Sequence, residues 1–135
     1  MGMFDAFAIS GSGMTAERLR MDVIASNLAN ADSTKGADGQ PYRRRMVVLQ
    51  SASPSFDQVL AGVKVAGIVQ DQSPLRRVYD PSHPDADAQG YVSYPNVDLS
   101  IEYVNALEAS RAYEANVSMM EVSKAMINAS LRLIA

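Results

Sequence analysis

The sequence predicts a mainly α fold: long N- and C-terminal helices paired as an antiparallel coiled coil, with a small β-rich insert of short strands and loops between them. Three observations predict it. The two ends of the chain carry apolar residues at helical spacing and, beyond the first turn or two, little that breaks a helix. All six prolines and five of the eight glycines fall between Asp32 and Asn96. The last helix is also too long for a compact domain of this size. With 135 residues, the chain has room for one core and not for two. The division expected is therefore 1–31 as an N-terminal axial helix, 32–96 as the insert, and 97–135 as a C-terminal helix that joins the first in one axial core.

From Phe4 to about Asn30 there is no proline, and the apolar residues recur with a period near 3.6. On a wheel of about 100° per residue, Met14, Met21, Ile24 and Leu28 share one side, while Ala16, Leu19 and Val23 occupy another. A surface helix needs one apolar face, so two faces imply burial between several neighbours, other subunits included. Ser10-Gly11-Ser12-Gly13 weakens this helix in isolation, because each interior glycine costs about 1 kcal/mol relative to alanine, but it also permits close approach of a second backbone.

In the insert, Tyr42 to Leu49 and Val63 to Val69 are β-branched runs bounded by Pro41, Ser53-Pro54, Gly62 and Asp71, which predicts two strands. A third is expected over Leu75 to Tyr79. The stretch from Asp80 to Gly90 is turn chemistry, with prolines fixing φ and Gly90 free to take a positive φ. It is expected to be a stiff, exposed loop whose Pro81, His83 and Pro84 dock against a neighbouring subunit.

From Val97 onward no glycine or proline occurs, and Asn96 or Asp98 can cap the helix start. Steps of four and three from Leu99 give Leu99, Tyr103, Ala106, Ser110, Tyr113, Val117, Met120, Lys124, Ile127, Leu131 and Ile134. Nine of these eleven are apolar or tyrosine, the pattern of a coiled-coil seam with Ser110 and Lys124 as polar exceptions. At 1.5 Å per residue the helix is roughly 55 Å long, against a diameter of about 35 to 40 Å for a compact domain. It must protrude or pair along its length, and the apolar surface left over calls for partners.

Composition narrows the chemistry. There is no cysteine, which excludes disulfides, thiolate nucleophiles and cysteine metal sites. The single histidine, His83, leaves no set of imidazoles for zinc and no nucleophilic triad. An enzyme is not expected, and neither is a cofactor. A net charge of -3 argues against nucleic acid, and the arginines of 43–45 and 76–77 are expected as charged strand edges or contacts to acidic neighbours. Asp85-Ala-Asp87-Ala-Gln89-Gly90 matches the first half of a calcium loop, but its twelfth position is Asn96, so a plain turn is expected and no metal. Ser10-Gly-Ser-Gly13 lacks the Gly-Lys-Ser/Thr ending of a phosphate loop. No apolar run reaches spanning length, and Met1 to Ile9 carries Asp5 but no Lys or Arg before its apolar residues, so no membrane helix and no cleaved signal peptide are expected.

Ser12-Gly-Met-Thr-Ala16 followed by A-S-N-L-A-N-A at Ala25 to Ala31 resembles the N-terminal signature of the bacterial flagellar rod and hook proteins. The stretches from Val78 to Val92, from Pro95 to Val97 and from Glu108 to Val117 extend the resemblance over nearly the whole chain. It implies a structural subunit of the proximal rod that transmits torque by helical assembly with copies of itself and with homologous rod proteins. The implied neighbours also include basal-body ring and export-gate components, and the implied location is the periplasmic rod, reached by type III export. The competing reading from the heptads alone is a coiled-coil adaptor or another secreted assembly protein. Assembly contacts are expected at Met14, Leu19, Met21, Val23, Ile24 and Leu28, and at Leu99, Tyr103, Tyr113, Val117, Met120, Ile127, Leu131 and Ile134.

Overall fold

The computed structural model describes residues 3–52 and 62–134; the bracketing residues Ser53 and Pro54 and the side chain of Ile134 lie outside the described residues. The chain forms two long helices, α1 (Met3–Ala29) and α2 (Leu99–Ile134), and four strands between them: β1 (Arg45–Ser51), β2 (Val63–Gln70), β3 (Arg76–Tyr79) and β4 (Tyr91–Tyr94). The strands make two separate antiparallel pairs, β1 with β2 and β3 with β4. Two-stranded sheets are marginal alone, so each needs something to lie on.

α1 runs unbroken through the glycine stretch and packs against both α2 and the first hairpin. Gly11 and Gly13 face α2: a side chain at Gly13 would come within 2.9 Å of the Asn116 amide, and one at Gly11 within 3.8 Å of the Met120 methyl. The helices thus lie side by side in opposite directions, with Arg20 reaching Glu108 and Asn27 reaching Glu102 nearer the insert. The other flank of α1 supports the first hairpin, where the Ser12 hydroxyl accepts the Val63 amide at 3.0 Å. Buried Ala16, Val23 and Ile24, with Ala109 of α2, make up most of the small core.

On α2 the covered positions include Glu102, Ala106, Ala109, Tyr113, Asn116, Met120, Ser123, Ile127 and Ser130, alternately four and three residues apart. This line shares Ala106, Tyr113, Met120 and Ile127 with the seam read from the sequence and differs at every other step. Leu99, Tyr103, Lys124 and Leu131 of that seam are exposed, and Ser110 and Val117 are half-buried at its edge. Sequence hydrophobicity selects the largest apolar residue at each turn. Packing against α1 selects a different line, in which Asn116 and Met120 fill the space left by Gly13 and Gly11 and Ala109 and Ser123 also sit inward.

Strand boundaries differ from expectation by a few residues. β1 starts at Arg45 and not Tyr42, since the amides of Arg44 and Arg45 are taken by asparagine side chains. β4, absent from the sequence reading, is only four residues long and pairs Tyr94 with Arg76 through to Tyr91 with Tyr79. The first hairpin carries a bulge between Val48 and Leu49, which increases twist. Asp98 caps α2, its carboxylate accepting the Ser100 and Ile101 amides at 2.8 and 3.3 Å.

The junction and the candidate assembly surface

Every passage of the chain between helices and insert converges on one polar cluster. Asn27 lies in the last turn of α1 and Glu102 in the first turn of α2, Tyr42 to Arg44 lead into β1, Asp71 and Ser73 follow β2, and Asn96 precedes α2. Asn27 and Glu102 are 1% and 0% exposed, and a buried polar group persists only with its partners supplied. The Asn27 side-chain nitrogen donates to the Arg45 carbonyl (2.8 Å) and a Glu102 oxygen (3.0 Å). Its oxygen accepts from the Arg45 amide and the Tyr42 hydroxyl, both at 2.9 Å. All four contacts pair donor with acceptor in this orientation, and flipping the amide would mismatch every one.

The other Glu102 oxygen accepts the Arg44 Nε at 2.6 Å. Arg44 also lies 3.7 Å from Asp71. Asn96 accepts the Arg44 amide at 2.9 Å and donates to Asp71 and Ser73 carbonyls and to the Ser73 hydroxyl. The backbone amide and then the hydroxyl of Ser73 hold the Asp71 carboxyl below its ordinary range, with Arg44 adding to the effect. This cluster accounts for the basic run at 43–45: Arg43 donates to the Asp71 and Ser73 carbonyls, Arg44 to Glu102, and Arg45 lies 5.4 Å over the Tyr42 ring. Arg76 and Arg77 are likewise engaged, over Tyr94 and with Asp87.

The loop after β3 is built from its own carboxylates. Asp80 accepts the Ser82 hydroxyl and amide, and Asp87 accepts the Gln89 and Tyr91 amides, which lowers both carboxyls. For Asp80 the Ser82 hydroxyl is the main cause; for Asp87 it is the Tyr91 amide. The two acids of the calcium-like motif serve different partners, Asp85 accepting from Thr34 at 2.9 Å and Asp87 pairing with Arg77 at 2.7 Å. Pro81 and Pro84 are exposed, while His83 is half-buried with its ring edge toward Tyr94.

The described residues leave much apolar surface uncovered. Six hydrophobic residues are buried, against nineteen large hydrophobics that are exposed. On α2, Ala115, Met119, Val122, Met126, Ala129 and Leu133 recur at steps of four and three on a flank away from α1, and Leu133 is 89% exposed. Of the expected contact residues, Val23 and Ile24 are buried within the subunit. Met14, Leu19, Met21, Leu28, Tyr113, Val117, Met120 and Ile127 are half-buried, and Leu99, Tyr103 and Leu131 are exposed.

Comparison with known proteins says what kind of chain carries this surface. Residues 7–37 match the family model for flagella basal body rod protein, and residues 88–133 match the C-terminal model of the flagellar basal body rod FlgEFG proteins. The chain is 48% identical over 98% of its length, and of the relative's, to the flagellar basal-body rod protein FlgC of Salmonella typhimurium. The namesake proteins of Bacillus subtilis and Borreliella burgdorferi are 45% and 40% identical, with at least 98% of each chain covered. This chain belongs to the flagellar basal-body rod protein family. It is a structural protein and not an enzyme.

The two matched segments contain most of α1 and most of α2, including Asn27 and Glu102. The sequence pattern marks the A-S-N-L-A-N-A motif without giving Asn27 a role; it assigns none to Glu102 and only a strand-edge one to Arg44. A signal was present: Asn27 interrupts the apolar faces of α1, and Glu102 lies just three residues past Leu99 on a helix otherwise read by its apolar residues. A polar residue in an apolar stripe announces a buried partner, but the partner is not legible without the fold.

Proposed function

We propose that the chain is a subunit of the bacterial flagellar rod that assembles through both helices with copies of itself and with homologous rod proteins. The observation that carries this is α2, 36 residues long, whose large apolar residues on the flank from Met119 to Leu133 face away from the rest of the chain. Covering one half-exposed leucine or methionine is worth about 1 kcal/mol, so a helix that buries several gains its stability from neighbours. In this reading residues 1–31 and 97–135 form the axial core, whose helices continue into coiled-coil packing across subunits. Residues 32–96 stand outside it. The loop at Pro81, His83 and Pro84 touches a neighbouring subunit, and the assembly transmits torque within the periplasm after type III export. Ring and export-gate components are its further neighbours.

The test is an in-frame deletion in the host bacterium, complemented with wild-type or Met126→Asp chains. Loss of swimming and of rods on deletion is expected, with rescue by wild type only and no Met126→Asp chain in purified basal bodies. Normal flagella in the deletion strain would refute the reading, and a chain that forms a stable dimer with its helices saturated in solution would favour the coiled-coil adaptor instead.

A further inference from the structure

The junction has a geometry that packing alone does not require. Glu102 is buried at the start of α2, yet its two oxygens accept from different elements, Arg44 at 2.6 Å and Asn27 at 3.0 Å. Asn27 in turn holds both the amide and the carbonyl of Arg45. Asn96 holds the Arg44 amide. The backbone entering β1 is therefore gripped at two successive residues, by a side chain from the end of α1 and by one from the segment that leads into α2. A bundle needing only to fill space would carry apolar residues here, since a buried charge is retained at the expense of desolvation.

We propose that Glu102 and Asn27 are positioning residues that lock the insert at one angle to the helix pair, so that load passes between axis and insert without a hinge. This rests on the rod reading for the meaning of load, though the lock itself does not. The charge sits on Glu102 because the same side chain must accept from two donors, one of them cationic; charge-assisted bonds resist displacement by water better than neutral ones. Hydrogen bonds fixed at both amides also leave no rotatable segment between α1, α2 and β1 at this point.

The experiment follows amide hydrogen exchange of the full chain in purified basal bodies, together with swimming in dilute and in viscous medium. Glu102→Gln turns one acceptor into a donor facing Asn27 or Arg44. It should speed exchange at the Arg44 and Arg45 amides about tenfold and leave the Met46 to Val48 ladder within about twofold, because the opening is local. Swimming should be normal in dilute medium and fail under viscous load. In the double variant Glu102→Gln with Asn27→Ala both side chains of the shared cluster are changed, and its damage in both readouts should be clearly less than the sum of the two single variants, because once one bond of the lock is lost the other no longer holds. A merely space-filling role predicts additive damage instead.

Unprotected Arg44 and Arg45 amides in wild type, unchanged exchange in Glu102→Gln, additive damage, or fast exchange with normal swimming under load would each overturn the proposal. Should Glu102→Gln fail to incorporate, Arg44→Lys takes its place with the same readouts, since it keeps the charge and loses the Nε contact. The exchange arm fails or succeeds irrespective of motility, whereas failure of the rod reading would show as normal flagella in the deletion strain.

Discussion

Gly90 closes the second hairpin in a conformation and a space that only glycine fits. Its φ is 82°, and it is buried; a Cβ there would sit 2.9 Å from the Tyr79 ring and 3.2 Å from Pro81. Tyr79 is 64% exposed and can give way only by loosening the edge contact its ring makes with Tyr91, at 5.3 Å between centroids. Proline has no rotamer to yield. Gly90→Ala therefore combines about 1 kcal/mol of left-handed backbone strain with about 2 kcal/mol of overpacking, a loss of about 3 kcal/mol in all. Two other glycines separate the terms. Gly39 has nearly the same φ, 77°, with nothing within 4 Å of its Cβ position, so Gly39→Ala should cost about 1 kcal/mol of strain alone. Gly67 has open space and no positive φ, so Gly67→Ala should stay within about 0.5 kcal/mol of wild type. Urea unfolding of the purified chain, read by tyrosine circular dichroism, suits the comparison, since three of six tyrosines lie on β3 and β4 and there is no tryptophan. Equal losses for Gly90→Ala and Gly39→Ala would show that the Tyr79 and Pro81 contacts carry no energy, and the reasoning would fail.

Three further outcomes are expected. Val117→Asp or Ile127→Asp places a carboxylate at the half-buried edge of the helix pair and should abolish incorporation into basal bodies, at a cost of about 2 to 4 kcal/mol; normal motility in either strain would contradict this. Gly13→Leu meets the Asn116 side chain, which is itself bonded to the Ala112 carbonyl, and should splay the helices, as seen by loss of helix signal or of incorporation, whereas a fully assembled variant would show that close approach is dispensable. Asp71, Asp80 and Asp87 all have folded pKa values below their ordinary 3.8, so the stability they contribute is complete above about pH 4 and is lost as pH falls through the folded values. Thermal unfolding between pH 7 and 2 should show a decline confined to the acid end, smaller in Asp87→Asn; an unchanged slope in that variant would refute its part.

Periodicity made the two helices legible, because a repeat of 3.6 residues over tens of positions is a redundant signal that local exceptions do not erase. Proline and glycine made the insert legible for the same reason, and the β-branched runs placed β1 and β2 within a few residues. β4 was not legible: Tyr91 to Tyr94 is too short for a pattern, and it is a strand because β3 lies opposite.

What the sequence determined by itself was how much apolar surface each helix carries and at what spacing, and this follows from residue type and helical geometry alone. Which side of α2 turns inward was decided by tertiary structure. Gly11 and Gly13 leave room for Met120 and Asn116 of α2, so the line that includes Ala109, Asn116 and Ser123 faces α1 and Leu99, Tyr103 and Leu131 remain outside. The junction is a tertiary fact of the same kind. Asn27, Arg44 and Glu102 lie up to 75 positions apart, and no property of any one of them names the others; a hydrogen bond needs a donor and an acceptor in register, and only the folded chain brings them to that distance.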